Sequence, residues 1–265
     1  MPYFPQLSSH CLAQYPLRIL HRRRAIVNEA IGGETVTSFD VFVQGLEWDL
    51  PYRGLSMEES ANLRELFESC EGRRGEFLFT DPAGNLLARS QQFDQLPWQS
   101  EPQLAWVGGL ADPLGGQAAM RVQNNSGLPQ SFTQTVAVPA GYETCFSVWI
   151  KSSSADEVVV RRTSGPESVT AAIPIGGEWR RIETSAALTG TAVGVDLTVE
   201  IPGAAAVEYF GAQLEAQPYA SGYKRTFAHS GIYPAARFAQ DELVIEADGF
   251  QTFATRVRVM AQLAG

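Results

Sequence analysis

The sequence predicts an all-β protein with one helix: a discontinuous β-barrel or sandwich domain that carries an inserted jelly-roll β-sandwich. Three observations predict it. From Phe132 to Arg225, short runs of β-branched and aromatic residues recur between Pro, Gly and Ser turns, at the spacing of a sandwich or jelly roll. Within that stretch Val193, Val195, Leu197, Val199 and Ile201 alternate with other residues, as a strand with one buried face requires. After Thr226 a lone alternating hairpin follows, and two strands are only marginally stable until a sheet receives them. The first hundred residues offer that sheet.

The elements follow in order. Residues 15–43 alternate and are β-branched in places; Val41 and Val43 flank Phe42, and Ile31-Gly-Gly-Glu34 reads as a hairpin turn. Trp48-Asp-Leu-Pro-Tyr52 puts large residues on one side of a strand. Pro51 has no N–H for a ladder and predicts an edge or a strand end. Ser56 and Glu59 stand at capping-box spacing. Leu63, Leu66, Phe67 and Cys70 then follow i, i+3, i+4, i+7 spacing, the apolar stripe of a helix that lies on a sheet. Gly72 is placed to end that helix at C′. Gly75–Phe79 is a short strand running into the Asp81-Pro-Ala-Gly-Asn85 turn.

Residues 86–114 are richer in Gln, Pro and Gly, with Trp98 and Trp106 in a polar setting. They read as the crossing into the insertion, stiffened by Pro97 and Pro102. The strands of the insertion follow, and Leu243–Ile245, an Asp248-Gly249 turn and Phe253–Val259 end the pattern as a hairpin. The predicted domains are residues 1–100 with 227–265, and residues 101–226.

Two stretches resemble known families. Ser131-Phe-Thr-Gln-Thr-Val136, Phe146-Ser-Val-Trp-Ile-Lys151, Glu178-Trp-Arg-Arg-Ile182, Tyr209-Phe-Gly-Ala-Gln-Leu-Glu-Ala216 and Ser221-Gly-Tyr-Lys-Arg-Thr226 are similar to the jelly-roll carbohydrate-binding modules of phage tail and adhesion proteins. That similarity covers residues 116–226. Leu55-Ser-Met-Glu-Glu59, Leu66-Phe-Glu-Ser-Cys-Glu-Gly-Arg-Arg-Gly75 and Phe77-Leu-Phe-Thr-Asp-Pro82 resemble the N-terminal barrel domain of distal tail proteins. These are hexameric rings that join a tail tube to the baseplate in tailed phages and gene-transfer particles. Such proteins often carry an inserted module before a final pair of strands, the order found here.

The resemblance implies a homo-hexameric ring at the distal end of a tail tube, with tube and baseplate hub proteins as partners. It also implies an outward module for host-cell glycans and a place in the virion tail, after assembly in the host cytoplasm. Other tail components with related cores, a tube or a terminator protein, fit the same segment. The alternative from another class is an accessory carbohydrate-binding protein or the non-catalytic part of a polysaccharide-degrading enzyme.

Composition narrows the choice. A formal net charge of −9, with neither the middle nor the flanks basic, argues against general affinity for nucleic acid or anionic membranes. Cys11, Cys70 and Cys145 are odd in number and widely spaced, so they read as small buried apolar groups. Met1-Pro-Tyr-Phe-Pro5 lacks the basic and apolar regions of a signal peptide, and no apolar run approaches the ~20 residues of a membrane span.

Chemistry finds no foothold in the motifs. None of His10, His21 and His229 lies in a Gly-x-Ser-x-Gly or comparable setting. No two His or Cys residues stand at zinc-ligand spacing. Gly108-Gly109 and Gly115-Gly116 lack the Lys-Ser/Thr of a phosphate loop. Glu143, Glu183, Glu200 and Glu208, the carboxylates a glycosidase would draw on, fall on solvent-facing positions or turns. Asp112 and Asp241 are the acids for calcium, which jelly-roll modules often hold at strand ends, but no Asp-x-Asp loop accompanies them. The expectation is no catalytic residue, no metal and no cofactor.

Sugar recognition needs an exposed aromatic that stacks on a pyranose face, with amides or carboxylates beside it. Tyr142, Tyr219 and Tyr223 lie at strand ends or in loops and fit the first need; Gln123, Asn124 and Asn125 form an amide-rich loop and fit the second. Trp149 and Trp179 stand inside strand patterns and read as core. For a ring, a head-to-tail strip must repeat around a closing rotation. Arg22, Arg23 and Arg24 facing Glu58, Glu59 or Glu65 of the next copy supply one; a solvated strand edge is the plainer reading of that basic run.

Overall fold

The computed structural model describes residues 1–190 and 192–262, without the side chains of residues 39–43. The side chains of Val41, Phe42 and Val43 therefore lie outside the described residues. In chain order the elements are β1 (Arg18–Glu29), β2 (Thr35–Leu55), α1 (Met57–Ser69) and β3 (Phe77–Thr80). Next come β4 (Gln99–Ser100), β5 (Leu104–Leu110), β6 (Ala119–Asn124), β7 (Gln130–Pro139), β8 (Thr144–Lys151) and β9 (Glu157–Ser164). Then follow β10 (Glu167–Pro174), β11 (Arg180–Ala186), β12 (Val193–Ile201), β13 (Ala206–Glu215), β14 (Ile232–Phe238), β15 (Ile245–Gly249) and β16 (Thr252–Gln262). The protein is all-β with one helix among the described residues, and its antiparallel sheets stay open.

Two compact units divide the chain: Met1–Phe79 with Tyr233–Gly265, and Thr80–Ile232. The sequence predicts the first boundary at 100/101, whereas the first unit ends at Phe79. Residues 80–100 lack a strand period, but long-range packing buries them in the second unit. Leu86, Leu87, Phe93 and Trp98 are buried there, Phe93 lies 5.8 Å from Phe132, and β4 pairs with β7.

The first unit is a single sheet in the order β1-β2-β16-β14-β3, with β15 also paired to β16. The discontinuity expected of the last hairpin is realised in the ladder that puts Trp48 opposite Val259 and Leu50 opposite Val257. Trp48, Leu50, Tyr52, Phe77, Phe79, Phe238, Val257 and Val259 are buried. Burying an aromatic or branched side chain of this kind contributes about 1.5–3 kcal/mol. Helix α1 turns Leu63, Leu66 and Cys70 inward, and its Phe67 meets Phe238 at 5.0 Å. The capping box is present: Glu59 N–H donates to Ser56 Oγ, and Ser56 N–H to the Glu59 carboxylate.

Three local details differ from expectation. Helix α1 ends in a Schellman arrangement, Gly72 N–H to Phe67 O and Glu71 N–H to Glu68 O, so Glu71 takes the first left-handed position (φ 51°) and Gly72 the second (φ 66°). The last hairpin turns at Phe250-Gln251, with Gln251 left-handed, and the Asp248 carboxylate accepts from Gly54 N–H at 3.0 Å. Pro51 lies within β2, which is flanked by two strands. It is tolerated because β1 runs no further along β2 than Asp49.

The second unit is a sandwich of two five-stranded sheets, β10-β9-β12-β7-β4 and β11-β8-β13-β6-β5. Reading β6 to β13 as eight successive strands, one sheet runs in the order sixth, third, eighth, first and the other fifth, fourth, seventh, second. This is the double Greek key of a jelly roll. Phe132, Val136, Phe146, Val148, Val160, Leu197, Val199 and Tyr209 fill the interior.

Candidate functional site

Strand register decides what the jelly roll presents. In β8 the residues Phe146, Val148 and Ile150 face the core, so Ser147, Trp149 and Lys151 face the other way. Cross-strand pairing carries that outer face across the sheet. Lys151 stands opposite Glu208 of β13, Glu208 opposite Arg121 of β6, and Arg121 opposite Val107 of β5. Trp179 immediately precedes β11, whose Arg180 is opposite Ile150, and so falls beside Lys151. Its ring centre is 4.9 Å from Lys151 Nζ.

The row Val107–Arg121–Glu208–Lys151–Trp179 therefore joins an indole to a charged triad. Glu208 Oε1 accepts from Arg121 Nε and Nη2 at 3.2 and 2.5 Å, and its Oε2 lies 3.0 Å from Lys151 Nζ. Burial pushes the Glu208 carboxyl up, but the hydrogen bonds and charges of Arg121 and Lys151 outweigh that and hold it below its ordinary value. It is ionised at neutral pH. Trp179 itself is half-buried.

Next to the row the same face is roofed. Tyr223 packs on Trp149 and Phe210 at 5.6 and 5.5 Å, and Arg181 lies 4.6 Å above the Trp149 ring. Beneath, Glu215 accepts from Lys224 Nζ at 2.7 Å, Ser221 N–H at 2.9 Å and Gln213 Nε2 at 2.7 Å. Gln213 Oε1 accepts from Lys224 N–H at 2.7 Å, and the Tyr223 hydroxyl meets Ser90 Oγ at 2.8 Å. The segment Ser221–Thr226 is thus a strap that closes part of the sheet with buried polar bonds.

The other sheet has a different outer face. Ser131, Thr133, Thr135, Thr198, Asp196, Glu200, Val159, Arg161 and Thr163 alternate outward from β7, β12 and β9. They satisfy one another: Thr133 with Thr198 at 2.8 Å, Thr135 to Asp196 at 2.6 Å, and Arg161 with Glu200 at 3.5 Å.

The sequence-predicted residues are scattered over these surroundings. Tyr142 is 4% exposed and Asn124 0%, so neither is presented to solvent as expected. Asn124 sits at a strand end whose carbonyls would otherwise go unpaired, and its amide donates to Leu128, Ile201 and Pro202. Gln123 donates to the Asn124 and Ala205 carbonyls, while Asn125 is exposed. Tyr223 belongs to the strap, and Tyr219 is exposed. Trp149 and Trp179 are corrected from core to outer face. For Trp149 the signal was its odd register against Phe146, Val148 and Ile150; Trp179 is placed by the pairing of Arg180 with Ile150.

Of the interface residues, Arg22 is ion-paired with Glu47 of its own chain. Glu59 is engaged by the helix cap and by Ser8, which donates through N–H and hydroxyl at 2.8 Å each. Arg23, Arg24, Glu58 and Glu65 are exposed. Asp112 and Asp241 lie in different units. Asp112 accepts from the N–H groups of Leu114, Gly116 and Ala118, which closes a loop. Among the described residues no group of three or more acidic, His or Cys side chains could hold a metal ion, and no helix is long and apolar enough to cross a membrane.

No family model and no curated protein matches the chain. Solved structures similar to part of it include TmCBM61 in complex with beta-1,4-galactotriose, at 16% identity and TM-score 0.39, covering 49% of this chain and 97% of that one. The CBM22-1 xylan-binding domain of Paenibacillus barcinonensis Xyn10C aligns at 10% identity and TM-score 0.41, covering 54% of this chain and 97% of that domain. The enzymatically active domain of bacteriophage CBA120 tailspike protein 4 aligns at 12% identity and TM-score 0.41, over 52% of this chain; the chain spans only 22% of that domain's length. The chain's structural neighbours are thus jelly-roll carbohydrate-binding modules and a phage tailspike domain.

Proposed function

We propose that this is a structural protein of a particle tail. Copies close into a ring, six by the resemblance, at the distal end of the tail tube and join it to the baseplate. The jelly roll serves glycan binding and the chain performs no chemistry of its own.

The observation that supports assembly is the pair of open edges of the first sheet. Strand β1 is paired on one side only, by β2, and is exposed along nearly its whole length. Among the described residues β16 accompanies β2 as far as Gly45, and Arg24–Glu29 and Thr35–Asp40 continue as a two-stranded arm with Ile26, Val27, Ile31 and Val36 in solvent. Such an arm gains stability only from a partner. Strand β15 is the opposite edge beside β16. The β1 edge carries His21-Arg-Arg-Arg24; the β15 edge carries Glu246 and Asp248, close after Asp241 and Glu242. Opposite edges of opposite charge on one sheet meet head to tail, the heterologous contact that generates rings. The edge beyond β3 is occupied, by Phe4 N–H to Leu78 O and Leu78 N–H to Pro2 O.

Mass in solution by light scattering, with negative-stain images of the same peak, tests the reading. Closed rings support it. A monomer that stays monomeric with tube and hub proteins added overturns it. The second reading, an accessory glycan-binding protein, draws on the indole and charged triad of the jelly roll and predicts a monomer with glycan affinity.

A further inference from the structure

We infer that the row Arg121–Glu208–Lys151–Trp179 is a subsite for neutral pyranosides. The inference rests on the glycan-binding part of the proposed function and adds a place and a sugar class to it.

A pyranose has an apolar C–H face and a rim of hydroxyls, each of which donates one hydrogen bond and accepts others. The row answers both. Trp179, half-buried beside Lys151, supplies an indole surface for the C–H face. The triad supplies the rim contacts. Arg121 directs two of its five N–H groups at Glu208 and Lys151 directs one of three, which leaves donors on both sides of a carboxylate that still has lone pairs. A vicinal diol placed there donates to Glu208 and accepts from Arg121 or Lys151, through charge-assisted bonds.

Glu208 also decides the sugar class. It is central in the row, ionised, and its side chain is only 13% exposed. Arg121 and Lys151 leave the triad with one net positive charge, so the discrimination is local to Glu208: a hydroxyl donates to that carboxylate, whereas a uronic or sialic carboxylate seated there has no proton to donate and meets like charge. Neutral sugars meet no such cost. At ~4.8 Å between strands, the four positions from Arg121 to Trp179 span ~14 Å, room for more than one ring. Val107, 57% exposed, extends the row with a second apolar contact. The outward residues of β7, β12 and β9 on the opposite sheet lack this combination: none is aromatic, and apart from Val159 they are hydroxyls and charges, several of which pair with one another.

The test is a glycan array of neutral and acidic sugars on the full chain. Calorimetric titrations with beta-1,4-galactotriose, xylohexaose and trigalacturonate follow, for wild type, Trp179→Ala, Glu208→Gln and, on the other sheet, Thr135→Ala. The expected result is binding of a neutral oligosaccharide that Trp179→Ala weakens about ten-fold or more, with an unchanged circular dichroism spectrum. Glu208→Gln weakens it less and relaxes the exclusion of trigalacturonate, while Thr135→Ala leaves it intact. Neutral-sugar binding that survives Trp179→Ala overturns this subsite and leaves the glycan reading standing. Tightest binding to acidic sugars through Trp179 overturns the sugar class. A wild-type chain that binds nothing on the array overturns the glycan reading itself.

Discussion

Lys224 Nζ sits 2.7 Å from Oε1 of Glu215, a carboxylate only 2% exposed. The pair anchors Ser221–Thr226 to the sheet. Removing one partner of a buried pair leaves the other charge uncompensated, so Lys224→Met is expected to cost about 3 kcal/mol. Chemical denaturation read at Trp fluorescence checks it, since Tyr223 of the strap packs on Trp149. An unchanged midpoint would show the strap to be held without its charge.

The same carboxylate gives a pH dependence. Burial raises the Glu215 pKa, but hydrogen bonds from Lys224, Ser221 and Gln213 outweigh it and set the folded value below the ordinary 4.5. A group depressed on folding contributes stability that is full above its unfolded pKa and is lost as pH falls through the folded one. The second unit is therefore expected to lose stability below about pH 4.5, more steeply in wild type than in Glu215→Gln. Thermal melts from pH 7 to pH 3 measure the difference.

Gly211 is left-handed at φ 65°, and a Cβ there would lie 3.1 Å from the Tyr223 ring and 3.2 Å from Trp149. Gly211→Ala combines a strained backbone with a clash against two packed rings, and about 2 kcal/mol of destabilisation is expected. A thermal midpoint within a degree of wild type would contradict this.

The Tyr209 hydroxyl is buried in the jelly-roll core with no hydrogen-bond partner among the described residues. Removing an unsatisfied polar atom while keeping the ring is neutral or stabilising. Tyr209→Phe should raise stability by up to about 1 kcal/mol, measured by urea denaturation.

For assembly, Arg23→Glu is expected to weaken ring formation at low salt, and Glu246→Arg in the same chain to restore part of it. The paired effect is on the order of 1 kcal/mol per contact, as for exposed charges. Light scattering across a salt series reads it. Loss without rescue would detach Arg23 from β15.

Local signals were the most legible. The capping box at Ser56 and Glu59 and the Leu63–Leu66–Cys70 stripe could be read because both depend on residues within one or two turns. The alternation of Val193–Ile201 marked a strand for the same reason. Residues 80–100 hid their place because Leu86, Phe93 and Trp98 are buried by partners such as Phe132, far along the chain and without a period of their own. Trp149 and Trp179 stand inside strand patterns and read as core, yet for Trp149 the signal against it is present: the alternation of Phe146, Val148 and Ile150 puts Trp149 and Lys151 on the opposite side. The Glu215–Lys224 strap was not legible, since neither its turn nor its burial leaves a pattern in sequence.

The pairing of Trp48 with Val259 sets an order in which the two units can be completed. Domains fold as units from the N-terminus during translation, yet β2 leaves the ribosome long before β16 exists. The jelly roll, contiguous in sequence, has all its strands first. Until Phe253–Gln262 has been made, β2 keeps an unpaired edge and Trp48, Leu50 and Tyr52 lack their cover, the kind of surface that invites aggregation. A product cut short between Ile232 and β16 would carry every strand of the jelly roll beside a first sheet that lacks the ladder between Trp48 and Val259.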